Sequence, residues 1–464
     1  MKKGLFFTAA IAFSFNIFAG GIENKTNMST GYLRNPSRNT ESSRPEACFY
    51  NIAGTGFMEE GLYIELGNQF IEKEYKHNLP ESDANVLNSP LSYFGLDTIK
   101  SGTYNDETTV YLYPNADIVY KFNDFSVFAN FGIYAGGGKL EYSEGTAATE
   151  LAFMKAAPTY LGYLNPANTS ATAAQIAEAN AMLPLLTNIA NNHSLTIDSI
   201  TYGEQIGLAY NIKDILSLSA GVRMLEGHQK LTLKSDYFNT LSAALTSSAG
   251  EGNEVSCVAR AFGISPVFGL HIKPVKVLDI SAQLQYATIM KYKVGNLKGP
   301  AIASQIGITK KTTFRADLPT VLNTGLGVQA SDQLYISASF NYYFNKPSSC
   351  NSIIGKNDYD DSFEVSLGAD FQFNEHALVS FGAAYGNQGV KDTSNNIFNP
   401  ILDSVQVGFG TEIKPSEKFA VTFGGTYVTY FETDYYIKSE SSSFKNELNK
   451  DVFMMSLGLT FKPL

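Results

Sequence analysis

The stretch from Ser404 to Tyr430 limits the possible folds more than any other part of the chain. Val405, Val407, Phe409 and Ile413 alternate with Gln406, Gly408, Gly410 and Glu412. A polar turn follows, Lys414-Pro415-Ser416-Glu417-Lys418, and then Phe419, Val421, Phe423 and Tyr427 alternate with Ala420, Thr422, Gly424 and Thr426. Side chains in a strand point alternately to opposite faces, so this is a hairpin with one apolar face and one small or polar face. A soluble sandwich fills its inner face with large side chains. Here the second face is Gly, Ala, Thr, Ser, Gln and Asn, which suits a wet or loosely filled lumen and leaves the greasy face to lipid. The pattern predicts a transmembrane antiparallel β-barrel.

The same signal recurs along the chain with connections that alternate short and long. Short ones fall near 121–124, 211–214, 273–276, 330–332, 374–376 and 414–418. Long ones run about 71–108, 140–196, 232–253, 295–311, 345–360, 387–402 and 432–451. Six short and seven long connections imply about fourteen strands with both ends on the short-turn side, as outer-membrane barrels with long external loops have. Leu216–Leu225 sends Leu216, Leu218, Ala220, Val222 and Met224 outward and Arg223 inward. The final strand sends Phe453, Met455, Leu457, Leu459 and Phe461 outward. Thr201–Tyr210 is awkward, because strict alternation puts Glu204 on lipid unless a bulge shifts it.

Composition agrees. Charged residues make up 17% of the chain, below the roughly 25% of soluble domains. Tyr and Phe number 27 and 32, enough for aromatic girdles at two interfaces. A net charge of −10 argues against a nucleic-acid partner, which calls for a basic stripe. Residues 1–19 read as a secretory signal, with Lys2 and Lys3 before an apolar core, Leu5–Phe18, too short to span a bilayer. No later apolar run is long enough for a transmembrane helix, yet a closed barrel needs none. The expected location is the outer membrane of a Gram-negative-type bacterium, as a monomer in contact with its lipid. Residues 20–56 are polar and aperiodic, a plug or a loose tail, and 57–464 form the barrel.

The largest loop, 140–196, differs from the rest. Leu151, Phe153, Met154, Tyr160 and Leu164 belong to one apolar stretch, and Ile176, Met182, Leu183, Leu186 and Ile189 recur at helical spacing with Pro184 as a break. Two readings are open: a face that covers its own loop, or an external docking site for a lipid-like solute. Catalysis finds little support. His77, His193, His228, His271 and His376 are scattered and expected to be solvated, and no nucleophile motif or phosphate-cradling glycine loop is present. No cofactor and no metal is expected. Cys48, Cys257 and Cys350 lack metal spacing; Cys257 and Cys350 either pair on the outer side or stay free.

Two stretches resemble a known family. Leu33-Arg34-Asn35-Pro36-Ser37-Arg38, followed by Ala47 to Gly54, is similar to the plug, or hatch, of outer-membrane long-chain fatty acid transporters of the FadL/TodX type. In that family an Asn-Pro-Ala-Gly element precedes the first strand; here it reads Asn51-Ile52-Ala53-Gly54. Phe314-Arg315-Ala316-Asp317-Leu318-Pro319 resembles the family's Leu-Pro approach to a mid-barrel strand. The resemblance implies capture of a hydrophobic molecule, a long-chain fatty acid or similar compound, among the outer loops. It further implies an apolar site in the lumen, a shift of the hatch, and lateral exit through an inward kink in one strand. Gly136-Gly137-Gly138 is the candidate kink, since glycine runs permit a bulge or bend. A carboxylate head would want a cation, and Arg223 and Arg315 are placed on inward faces, with Asp317 a rival partner for Arg315. A general diffusion porin and a surface adhesin on a barrel scaffold are the competing readings.

Overall fold

The computed structural model describes residues 25–463 except 93–99, 146–161, 178, 181–192, 237, 240–241, 243–248, 306, 350–358, 391–400 and 439–442. The signal segment 1–19 lies outside the described residues. Seventeen strand segments form a single sheet. Three pairs of segments continue one another across a short break, which leaves fourteen antiparallel strands around a closed barrel. They are β1 (Gly61–Leu79), β2 (Gly102–Phe122), β3 (Phe125–Tyr142), β4 (His193–Ile212), β5 (Leu216–Ser235) and β6 (Glu254–Val275). Next come β7 (Leu278–Gln285 with Lys291–Lys298), β8 (Thr313–Arg315 with Thr320–Gln329), β9 (Leu334–Phe344) and β10 (Ser362–Asn374). The last four are β11 (Ala377–Asn387), β12 (Ser404–Ser416), β13 (Phe419–Tyr430 with Thr433–Lys438) and β14 (Ser443–Phe461). β14 pairs back onto β1 from Ile64↔Phe461 to Asn78↔Glu447, so neither terminal strand keeps a free edge. Among the described residues no helix is long and apolar enough to cross a membrane.

The alternation read from the sequence sets the two faces. Leu218, Ile264, Leu367, Phe409 and Leu457 are exposed on the outside, while Ser217, Ser366, Gln283 and Thr426 are buried within. Aromatic side chains ring both ends of the apolar band. Tyr120, Phe122, Phe125 and Tyr210 adjoin one another at the short-turn end. Phe340, Phe363, Tyr385 and Phe431 do the same toward the long loops. These rings sit where apolar faces meet water and suit Tyr and Phe.

Two details depart from the sequence reading, the first long connection and the histidines, and two others bear on points it left open. The first long connection is shorter than expected, because β1 and β2 stay paired as far as Leu79↔Gly102. Glu204 does face outward with no shift in the β4–β5 ladder; it lies opposite Phe131, whose ring stacks with Tyr202. His77, His193 and His271 are buried, because each takes an inward position instead of a solvated one. Cys48 and Cys257 are free and buried, and Cys350 lies outside the described residues.

Candidate functional site

The N-terminal segment occupies the bore and is tied to strands all around it. Its short helices are α1 (Thr30–Arg34), capped by the Ser29 hydroxyl, which accepts from the Tyr32 N–H, and α2 (Ala47–Tyr50). Asn35 donates to Asp370 on β10 at 3.1 Å, and Pro36 lies against Gly382 on β11 so closely that a Cβ there would meet its Cδ at 2.7 Å. Asn51 donates to the Glu41 carbonyl at 2.9 Å and to His271 Nδ1 on β6 at 2.7 Å. Ile52 donates its N–H to Gln283 on β7 at 2.9 Å. That bond explains why isoleucine is acceptable where the family pattern has proline, which has no N–H to give. Ala53 is buried, and Gly54 is required because a Cβ there would meet the Glu41 carbonyl at 2.1 Å.

A buried charge network fixes the other half of the plug. Arg38 pairs with Glu41 at 2.9 Å and Asp370 at 3.3 Å, Arg34 with Asp370 at 3.4 Å, and Arg44 with Glu412 on β12 at 2.6 Å. Burial pushes the Glu41 carboxyl up, but Arg44, Arg38 and the Ser43 hydrogen bonds outweigh it and hold the group at about 2. Glu46 goes the other way. Burial raises it, and Arg38, 3.8 Å away, compensates only in part. Plug charges thus have partners on the wall, as buried ions require.

The wall itself is interrupted next to the plug. β2 and β3 are paired only from the short turn up to Ala116↔Phe131. Beyond that point β2 stays with β1, and β3 stays with β4, so the two strands part. β3 is irregular just there, with register shifts between Ile133 and Ala135 and between Ala135 and Gly138. Gly136 and Gly138 have φ of 105° and 73°, the left-handed half of the map that glycine tolerates; Gly137 lies between them in the strand. A Cβ on Gly136 would meet the Ser199 carbonyl at 2.3 Å. Ile133, Tyr134 and Ala135 are all buried, where regular alternation would turn at least one outward, so β3 bends into the bore. The Tyr113 hydroxyl donates to the freed Ile133 carbonyl at 3.0 Å. The Lys25 N–H at the head of the plug donates to the Tyr134 carbonyl at 2.9 Å. Plug and bend are one bonded unit.

A cavity of about 210 Å³ lies at this junction. It reaches from Lys25, Asn27 and Tyr32 of the plug to Leu112, Ile133 and Ile200 at the gap. Leu112 is 71% exposed, so the cavity is not sealed at the end where β2 and β3 part. Its lining is mostly Ile, Val, Leu, Met and Tyr, with Lys73, Lys450 and Glu364 among them. An engineered cavity of roughly 150 Å³ admits benzene, so this one has room for a small hydrophobic body. A pocket of about 30 Å³ beside it is lined by Tyr50, Tyr134, Arg223 and Tyr343, with room for about two waters.

Arg223 faces inward as expected, is 2% exposed, lies over the Tyr134 ring at 5.0 Å and donates to Gln205. No carboxylate pairs with it among the described residues. Arg315 is not in the lumen. Phe314 turns inward to stack on Tyr292 at 5.1 Å, which leaves Arg315 on the outer side, opposite Lys291 and paired with Asp317. The break between Arg315 and Thr320 resets the alternation from which its face was read. Of the loop residues, Leu151, Phe153, Met154, Tyr160, Met182, Leu183 and Leu186 lie outside the described residues; Leu164 is in a short helical turn, partly buried. The charge network, the Lys25–Tyr134 bond and the lumenal lysines were not foreseen. The one available signal was a carboxylate, Asp370 or Glu412, on an otherwise small-residue inward face.

A family described as outer membrane protein transport protein (OMPP1/FadL/TodX) matches residues 187–462. The fold is similar to the crystal structure of a Pseudomonas aeruginosa FadL homologue, at 14% identity, TM-score 0.65, covering 95% of this chain and 99% of that one. It is similar also to the P. putida toluene transporter TodX, at 14% identity, TM-score 0.58, with coverage of 95% and 99%. The Ralstonia pickettii toluene transporter TbuX gives 14% identity and TM-score 0.53 over 95% and 99%. A search of curated protein sequences finds no match.

Proposed function

This chain belongs to the outer membrane protein transport family (OMPP1/FadL/TodX), and from that premise we propose that it carries hydrophobic molecules inward across the outer membrane. The cargo is a long-chain fatty acid or a compound of similar greasiness. It is caught among the outer loops, with the apolar part of the 140–196 loop as the landing surface. It then enters the lumenal cavity and leaves sideways between β2 and β3 once the plug shifts.

The observation that carries this reading is the joining of cavity and wall gap. Each CH₂ gains roughly 0.8 kcal/mol on leaving water. A wet axial pore would force that gain to be surrendered, whereas a gap onto lipid lets the chain pass from one apolar medium to another. The relatives described as toluene transporters suit the cavity volume equally well. The cations Lys25, Lys73 and Lys450 at the cavity, with Arg223 just below, favour an amphiphile with an acidic head. The proposal assigns no catalytic step. A plug bonded to β1, β4, β7, β10 and β12 weighs against the open-porin reading.

The test is uptake of radiolabelled oleate by cells whose own uptake is deleted, beside single-channel recording in planar bilayers. Oleate uptake above the empty vector with almost no resting ion conductance is the expected result. A stable open conductance without oleate uptake would return the chain to the porin class.

A further inference from the structure

The outer wall of β5 to β8 carries a row of cations that transport does not use. On β6 the outward side chains Ile272, Leu270, Phe268, Pro266, Ile264 and Phe262 form an apolar column. Ten residues at ~3.3 Å each, tilted about 40°, climb about 25 Å along the membrane normal, the height of a barrel's apolar band. The next outward residue is Arg260. The ladder places it directly opposite His228 on β5 and Lys293 on β7, with Lys291 the next outward residue below Lys293. Arg260, Lys291 and Lys293 are exposed.

These three have no carboxylate partner of their own among the described residues. Lys76, Lys139, Lys298, Lys346 and Lys414 each pair with a nearby carboxylate. No carboxylate lies within ion-pair distance of Arg260, Lys291 or Lys293 among the described residues. Glu226, one outward position below His228 on β5, is held by His228 at 2.9 Å. In a chain of net charge −10, these three cations within two residues of one level, with the Asp317-paired Arg315 opposite Lys291, make a local positive patch. They sit above the end of the band that faces the long loops, at head-group level, over exposed Phe262, Ile264 and Ile289.

We infer that this row binds the phosphorylated head group of an outer-leaflet glycolipid, whose acyl chains lie on the apolar column below. Phosphate matches the fork of Arg260 and the point charges of Lys291 and Lys293. A neutral lipid offers these cations no anion, and a zwitterionic one offsets its single phosphate with a cation of its own. The site depends on the barrel's orientation in the membrane and not on what passes through it, so it stands whatever the cargo is.

The probe is a bis-phosphorylated, acylated glucosamine disaccharide, titrated into the purified full-length protein in detergent and followed by native mass spectrometry. Its dephosphorylated form and phosphatidylethanolamine are the controls. At roughly a fivefold loss for each cation removed next to an anionic lipid, the R260Q/K293Q variant binds about thirtyfold more weakly. The dephosphorylated lipid shows a similar loss on the unmodified protein, a comparison that holds even where the variant misfolds. K76Q, on β1 and in an ion pair, leaves binding unchanged. Equal binding of the phosphorylated and dephosphorylated lipids, or full binding by a folded R260Q/K293Q variant, would overturn the inference.

Discussion

The side-chain amide of Asn51 donates to Nδ1 of His271 at 2.7 Å, and Nε2 of the same ring meets Asp279 at 2.8 Å. An amide nitrogen only donates, so Nδ1 accepts and the ring proton sits on Nε2. The plug is thereby latched to β6 through a single tautomer. Asn51→Leu leaves a buried acceptor without a partner, at about 1–3 kcal/mol. The variant's plug is expected to be cut sooner by trypsin, at Lys25, Arg34 or Arg38, while the barrel resists.

Ile52→Pro restores the residue typical of the family and removes the N–H that Gln283 accepts. The cost is again about 1–3 kcal/mol of plug docking. Ile52→Val keeps the N–H and loses little. Comparing trypsin half-lives of the two variants separates the hydrogen bond from the packing.

Gly136→Val faces both a carbonyl at 2.3 Å and a φ of 105°. Holding the bend costs about 1–3 kcal/mol of strain, so the strand relaxes outward and the gap narrows. Oleate uptake is expected to fall severalfold while heat-modifiable migration of the barrel is retained. Unchanged uptake would dissociate the bend from transport.

Glu41 and Glu46 respond oppositely to acid. The Glu41 carboxyl is lowered to about 2 from 4.5, so its contribution is complete above pH 4.5 and fades as pH falls toward about 2. Glu46 is raised, so its ionised form opposes docking above the ordinary carboxyl range, and acid relieves that penalty. At pH 7 Glu41→Gln loosens the plug and Glu46→Gln does not, as protease protection at pH 7 and pH 4 will register.

Arg223→Met removes the buried guanidinium beside the lumenal pockets. Losing a charge-assisted hydrogen bond is worth about 1.5–3 kcal/mol, or about tenfold or more. Oleate uptake is expected to drop by that factor and toluene uptake to stay near wild type. An equal loss for both would point to a packing role against Tyr134.

The barrel was legible because period-two alternation is a local property. Phe409 and Gly410 declare their faces without reference to anything distant, and the six polar turns sit within a few residues of where they were read. The plug partners were not legible. Arg34 and Asp370 are 336 positions apart, and nothing near either one names the other. Alternation puts Arg315 on the wrong face because it transmits parity only along an unbroken strand, and β8 is broken at Pro319. Gly136 was singled out for its composition, but the parting of β2 from β3 is a pairing fact that no single strand contains.

The zipper between β1 and β14, fifteen residue pairs long, has a consequence for biogenesis. The strand that β1 needs is the last of the fourteen in chain order, so no chain lacking β14 can present a sealed cylinder to the bilayer. Until β14 arrives, β1 keeps a row of unpaired backbone groups, and closure of the wall waits on the strand farthest from it in sequence.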